Sequence, residues 1–325
     1  MEKKMRLRLL FVAIILVLVL VVLYSGLQIL ESTVFLKNPD QSQSASKVII
    51  KDGVKYYPRQ DITVILLMGI NQSGPVGPTQ HNHGGAADMV ALMVFDQKSK
   101  VCNLVNLNRD MMVNMPMLNK FDKPQGNYYG QLAYSHTYGD GMEVSCENVK
   151  STVSDFLNGI RIDHYFSLNM DAIGVLNDAV GGVTVTVVDD FSAVDPQIPI
   201  GTVKLLGKHA VNYVQARGNV GDELNTSRMR RHKEYMQGFV RALKSKINEG
   251  EGFFLNAYDE VSDYIVTDCS IQVLSRLETD YWDYPMGEVL TVAGENKLGE
   301  VYYEFYPDED SRMDLLLKLF YAPMD

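Results

Sequence analysis

Residues 162–188 read IDHYFSLNMDAIGVLNDAVGGVTVTVV, and the alternation inside them sets the fold class. Ile162–Leu168 is a short aromatic and aliphatic run, read as a strand. Asp171–Val180 reads as a helix that stops at Gly181-Gly182, because a helix end favours residues that tolerate positive φ. Val183–Val188 alternates valine with threonine, the two-residue period of another strand. Upstream, Ser145 is placed to cap a helix running through Leu157, with Gly159 as its stop. Helix, strand, helix, strand in that order predicts an α/β fold with a mixed central β-sheet flanked by helices.

Farther toward the N-terminus, ITVILLMGI ends at Ile70 and is apolar throughout, as a strand buried on both faces must be. The next stretch, NQSGPVGPTQHNHGGAAD, is a Gly/Pro-rich loop of a length that is usually functional or disordered. Asp88-MVALMVF-Asp96 and Lys100-VCNLVNLN then form a strand pair joined at the QKS turn. The second strand ends in Asn108-Arg109-Asp110. Charged residues at the end of a buried strand suit a site at a sheet edge, and a salt bridge between turn neighbours is the alternative. A loop through Tyr128-Tyr129-Gly130 leads to Gln131, and residues 190–206 read as a loop with Pro196 and Pro199. A short helix is expected around Lys208–Val214. Beyond Glu249 come a helical stretch (Ile271–Leu277), a strand-like YYEFY at 302–306 and an amphipathic helix near Met313–Phe320.

The segment 213–235, YVQARGNVGDELNTSRMRRHKEY, concentrates positive charge. A helix is expected to start at Asn225 or Thr226, with apolar residues recurring at Met229, Met236, Phe239, Leu243 and Ile247. Arg228, Arg230, Arg231, His232 and Lys233 crowd its first two turns. Cations there oppose the helix dipole at roughly 0.3–1 kcal/mol each, so a bound anion, phosphate above all, gives them a purpose. Arg228, Arg231 and Tyr235 share one stripe, and Arg230 can pair with Glu234. Arg217 leads into a glycine-flanked loop that can bring it back toward the same point. A solvated basic face is the competing reading.

The chain has 325 residues, net charge −10 and pI near 5.1, an acidic balance that argues against a protein coating nucleic acid. Its three cysteines have no CxxC spacing and are odd in number, so no zinc ribbon or disulfide framework is indicated. Residues 1–8 carry four basic side chains, and 9–30 are uncharged over a length that crosses a bilayer as a helix. Charge flanking places the N-terminus in the cytoplasm and the remainder outside, as a signal-anchored, single-pass plasma-membrane protein. A cleaved signal peptide is the rival reading, against which stand the length of the run and the lack of an A-x-A site after it. Segment 31–60 reads as an extracellular linker, 61–249 as the main domain and 250–325 as an extension completing it.

Several of these fragments, in order, resemble the LytR-CpsA-Psr proteins of bacterial cell envelopes. Asp88-Met-Val resembles that family's Asp-Thr-Ile, and Asn108-Arg109-Asp110-Met-Met-Val its Pro-Arg-Asp-Thr-Tyr-Val. Ile162-Asp163-His164-Tyr165 and Val180-Gly181-Gly182-Val183-Thr184-Val185 also match, as does Gly207-Lys-His-Ala-Val-Asn-Tyr-Val followed by Arg217 and Arg228-Met-Arg-Arg231. The resemblance implies a phosphotransferase that moves a polyprenyl-pyrophosphate-linked glycopolymer, teichoic acid-like or capsular, onto peptidoglycan, with Mg²⁺ as cofactor. By resemblance, Arg109, Arg217 and Arg228 hold the pyrophosphate with Arg231 close by, and Asp88 holds Mg²⁺ and orients the acceptor hydroxyl. Phosphoryl transfer of this kind rests on positioning and charge neutralisation, which suits guanidinium clamps and a carboxylate-held metal.

The sequence departs from the family at several polar positions. Asn71 stands where an Asp is usual, as a weaker metal ligand. Gln131 and Gln215 replace a Lys and an Arg, His232 a Gln, and Ala86 an Arg. Gln131, Gln215 and His232 are carried over as pyrophosphate contacts of reduced charge. These losses leave a weakly active or inactive polyprenyl-phosphate-binding regulator as the alternative function.

Overall fold

The computed structural model describes residues 48–80, 83–216, 219–221, 225–248, 260–281, 284–299 and 303–323. The expected membrane anchor at 9–30 lies outside them, and among the described residues no helix is long and apolar enough to cross a membrane.

The chain opens with strands β1 (Ile49–Lys51), β2 (Val54–Pro58), β3 (Ile62–Ile70), β4 (Ala87–Asp96) and β5 (Val101–Leu107). A hairpin of β6 (Met112–Leu118) and β7 (Pro124–Gln131) runs into a 3₁₀ helix, Leu132–Thr137. Next come α1 (Glu143–Phe156), β8 (His164–Asn169), α2 (Ala172–Ala179), β9 (Val183–Val187), β10 (Gly201–Leu205), α3 (Lys208–Gln215) and α4 (Asn225–Asn248). The remainder is β11 (Ile265–Thr267), α5 (Ile271–Tyr281), β12 (Met286–Thr291), β13 (Gly294–Leu298), β14 (Tyr303–Pro307), α6 (Glu309–Leu319) and β15 (Tyr321–Pro323).

Six strands form the central sheet in the order β11-β8-β3-β4-β5-β12. β3 is parallel to β8 and β5 to β12, whereas β4 and β11 run against their neighbours. The carboxyl ends of β3, β5, β8 and β12 therefore lie along one edge, where α/β sheets present their ligand sites. Side chains of β3 alternate between two cores. Ile65 and Leu67 pack with α2, α3, α4 and α5, while Val64, Leu66 and Met68 pack with α1, α6 and the 3₁₀ helix. Burial on both faces is why ITVILLMGI shows no polar alternation. Each such Leu or Ile contributes roughly 1.5–3 kcal/mol.

Several local expectations change. α1 begins at Glu143, two residues before Ser145; Asp140 accepts the N–H of Met142 (2.8 Å), and Ser145 Oγ accepts that of Gly141 (2.8 Å). Tyr128, Tyr129 and Gly130 lie in β7 of the β6–β7 hairpin rather than in a loop, and 201–205 form β10, paired with β9 outside the central sheet. Part of the stretch read as linker is folded, since β1 and β2 pair with each other and β2 pairs with β15. β11 and β12, from the stretch read as an extension, are the two edges of the central sheet.

Candidate functional site

At the carboxyl edge the β3–β4 register breaks. Gly69 faces Met89 but Ile70 faces Ala87, so Asp88 is the extra residue of a β-bulge. Bulges re-aim a side chain, and this one follows from a tight local fold in which Ala86 O accepts the N–H of both Asn71 (2.9 Å) and Asp88 (3.0 Å). The approach requires glycine at 85, where a Cβ would stand 2.6 Å from the carbonyl oxygen of Asn71. Gly85 O in turn accepts the Nδ1–H of His136 (2.7 Å), which burial holds neutral, its pKa depressed to about 4. Cys146 Sγ lies 3.9 Å from the other ring nitrogen.

β5 pairs with β4 so that Val90 faces Leu107, and continuing the register sets Arg109 opposite Asp88. Arg109 Nη1 donates to Asp88 Oδ1 at 2.6 Å, with both side chains about seven-eighths buried. Arg109 Nε lies 3.3 Å from Asp110 Oδ1 without the alignment of a good hydrogen bond. Burial pushes both carboxyls up. Asp88 rises against the pull of Arg109; Asp110 reaches about 6, Arg109 opposing the rise and Asp88 adding to it. One guanidinium thus serves two buried carboxylates, and the centre is short of positive charge.

That shortage bears on metal binding. Two hard oxygen donors with a deficit of cation fit Mg²⁺, which takes one or two carboxylates and keeps its waters. Asp88 is the principal candidate ligand, with Asp110 beside it. Asn71 is exposed directly after β3, next to the bulge.

The 3₁₀ helix fixes the backbone of this centre. Ala133 N–H donates to Arg109 O (2.9 Å) and Leu132 N–H to Met111 O (2.8 Å). Gln131, buried at the end of β7 opposite Met112, caps this helix two residues before Ala133. The loop after β3 is pinned across the end of β8, through Met170 N–H to Gln72 O (3.1 Å) and Gly74 N–H to Asp171 Oδ2 (2.6 Å).

The basic helix differs from expectation. Arg231 does not offer its guanidinium to a ligand: it is 2% exposed. Its Nε donates to Tyr213 O (3.1 Å), Nη1 to Asp189 Oδ2 (3.1 Å) and Nη2 to Ala216 O, and it lies over the ring of Phe191. It fastens the end of α3 to α4. Tyr235, one turn on, is fully buried and donates to Asn177 Oδ1 (3.0 Å). Arg230 pairs with Asp189 rather than Glu234, whose carboxylate accepts Thr186 N–H (3.0 Å). Gln215 is exposed at the end of α3. Arg217 and the side chains of Arg228 and His232 lie outside the described residues. Among the described residues, no hydrogen bond or ion pair joins Arg231 or Gln215 to Asp88 or Arg109.

Sequence reading placed Asp110 at the sheet edge with Arg109 but gave it no role, and gave Gly85 and His136 no part in the site. Asp110 had a signal in its adjacency to Arg109. Gly85 and His136 act through contacts between distant segments and left none.

Comparisons with known proteins agree with this architecture. The chain is 29% identical over 222 residues to the polyisoprenyl-teichoic acid–peptidoglycan teichoic acid transferase TagU of Enterococcus faecalis, a match spanning 67% of this chain and 65% of that relative. The enzyme of the same name from Halalkalibacterium halodurans is 25% identical over 77% of this chain and 76% of its own length. The crystal structure of protein gbs0355 from Streptococcus agalactiae superposes with a TM-score of 0.59, at 21% identity, over 80% of this chain and 86% of that one. Residues 23–317 match the model of the LytR_cpsA_psr family, and the chain belongs to that family.

Proposed function

We propose that the protein is a phosphotransferase that moves a glycopolymer from a polyprenyl-pyrophosphate carrier to peptidoglycan, as the names of its teichoic acid transferase relatives suggest. The observation that carries this reading is the buried Arg109–Asp88 pair at a bulge on the carboxyl edge of the sheet. Arg109 presents a planar guanidinium, held on one side by Asp88, whose remaining N–H groups suit phosphate oxygens. Arg109 orients the phosphoryl oxygens through these N–H groups, and the charge that builds on transfer calls for the further cation that the two carboxylates would hold.

In the reaction, a sugar hydroxyl of the acceptor attacks the glycan-bearing phosphorus. An O–P bond forms, the bond to the bridging oxygen breaks, and polyprenyl phosphate leaves with that electron pair. The hydroxyl proton passes to a carboxylate in the site. Asp88, aimed from the bulge beside Arg109, is the choice for orienting it. Mg²⁺, when bound at Asp88 with Asn71 or Asp110 beside it, supplies further neutralisation of the diphosphate. Arg217 and Arg228 complete the diphosphate clamp in this reading, with Gln131, Gln215 and His232 as weaker polar contacts. The uncharged run 9–30 anchors the domain on the outer face of the plasma membrane, where the lipid carrier resides.

The test is turnover of a polyprenyl-pyrophosphate glycan with a peptidoglycan acceptor by the purified protein, with and without Mg²⁺. Arg109→Ala should lower kcat/KM by about a hundredfold or more. Equal rates for wild type and variant overturn the assignment. Tight binding of polyprenyl phosphate without turnover points to the regulatory alternative, which the replacements at 71, 131 and 215 motivate.

A further inference from the structure

A second group of donor side chains converges at the other end of the sheet. His164 is the first residue of β8 and pairs with Ile65 of β3, five residues back from Ile70 at the catalytic edge. That is about 17 Å along the strand. β11 pairs antiparallel with β8, with Thr267 opposite Phe166. Continued, this register sets Asp268 beside Tyr165 and Cys269 directly opposite His164. A ring nitrogen of His164, a carboxylate oxygen of Asp268 and Cys269 Sγ all lie within 4.8 Å of one another.

The backbone holds them there. Tyr165 N–H donates to Asp268 Oδ1 (2.9 Å), Cys269 N–H to Thr267 Oγ1 (3.1 Å), and the Thr267 hydroxyl to Tyr165 O (2.6 Å). His164 Nδ1 is buried and faces Asp268 Oδ1 at 3.3 Å, yet makes no well-formed hydrogen bond. The His164–Asp268 ion pair is longer and less aligned than a good hydrogen bond, with the Cys269 thiol beside it, so a cation that takes the place of the imidazole and thiol protons can be held by all three.

We propose that His164, Asp268 and Cys269 bind a borderline-soft divalent cation of the zinc class, at a site separate from the Asp88–Arg109 centre. Imidazole nitrogen, thiolate sulfur and carboxylate oxygen are the three donor types zinc takes, and solvent fills the fourth tetrahedral position. Bonds of about 2.0–2.3 Å put tetrahedral ligands roughly 3.3–3.8 Å apart, so the present spacing needs to close by about an ångström. Lys150 Nζ, 3.4 Å from Asp268 Oδ2 and over the ring of Tyr165, occupies the outer carboxylate oxygen and leaves Oδ1 to the cation, while its charge weakens the site. Bound metal staples the three-residue edge strand β11 to β8, just ahead of α5.

The test is titration of the purified full-length protein with Co²⁺, following near-ultraviolet thiolate-to-cobalt absorption and the visible bands of tetrahedral cobalt. One equivalent should saturate both signals, and Zn²⁺ should displace it. Cys269→Ala should abolish the thiolate band, and His164→Ala should weaken binding at least tenfold. Lys150→Ala, which removes a positive charge, should tighten it several-fold. Cys102→Ala should leave the band intact, since burial pushes that thiol up to about 12. If Cys269→Ala misfolds by circular dichroism, Asp268→Asn provides the same reading through weakened binding. Absence of a saturable thiolate band in the wild type, its persistence in Cys269→Ala, or unchanged affinity in Lys150→Ala overturns the proposal.

Discussion

Replacing Asp110 by Asn should make the protein more stable at neutral pH, and the size of the gain follows from the buried trio. Asp110 shares Arg109 with Asp88 and titrates at about 6 in the folded protein against 3.8 as a free group. The folded state therefore holds this proton more tightly than the unfolded chain, so stability falls as pH rises from 3.8 to about 6 and stays lower above that. The difference corresponds to about 3 kcal/mol. Asparagine keeps the shape and cannot ionise. The variant should match wild type near pH 4 and exceed it by about 3 kcal/mol at pH 7.5, roughly 5–10 °C in Tm for a domain of this size. Urea unfolding of both proteins from pH 4 to 8, with EDTA present to remove divalent cations, reads the difference directly. A wild-type-minus-variant curve that is flat across pH 4–7 refutes the claim that Arg109 is overcommitted. The stabilised variant should also bind Mg²⁺ more weakly, since charge strain and cation demand are one property of the site.

Three other outcomes follow from the geometry. His136, depressed to about 4 from 6.5 by burial, is protonated first in the unfolded chain, so it costs the protein about 3 kcal/mol as pH falls from 6.5 toward 4. This opposes the Asp110 effect, so His136→Gln should flatten acid loss in urea titrations and expose a net gain on acidification. Gly85→Ala should lower kcat in the transferase assay by tenfold or more with Tm reduced by only a few degrees, because its Cβ meets the Asn71 backbone at 2.6 Å and displaces the bulge beside Asp88. Arg231→Met leaves the buried Asp189 carboxylate to Arg230 alone and two carbonyls without their donor, and should cost about 2–4 kcal/mol in urea unfolding, a loss that an anion-binding surface arginine would not show.

The layers of the fold were legible because they depend on period and punctuation. ITVILLMGI, the Gly181-Gly182 stop and the Val/Thr alternation each report burial or a helix end from a few consecutive residues. The β6–β7 hairpin hid because Pro116, Tyr128 and Tyr129 break any clean alternation, and the half-exposed pairing puts no continuous apolar face on either strand. β10 hid behind flanking prolines. Arg109 and Asp110 were legible because charge at the end of an apolar strand is conspicuous, whereas Asp88 was singled out only through the family resemblance. The bulge that aims Asp88 was not legible, because a register slip depends on which residue of β3 faces which of β4. Arg231 was misread for a related reason. Three residues from Arg228 it looks like part of a cationic surface, but Asp189, Tyr213 and Ala216 come from segments 15 to 42 positions away and draw it inside.

The pairing of β2 with β15 sets Pro58 against Tyr321 and Tyr56 against Pro323. The domain cannot close this seam until residues near 323 have been synthesised, so the entry strand of a nascent chain waits for a partner far downstream in the sequence. The same seam means that a load applied through the segment before Val48 is borne at once by the far end of the sequence, in shear along β1, β2 and β15. Pro323 accordingly lies on the same small sheet as Ile49, where the chain enters the domain, with Tyr56 paired to both.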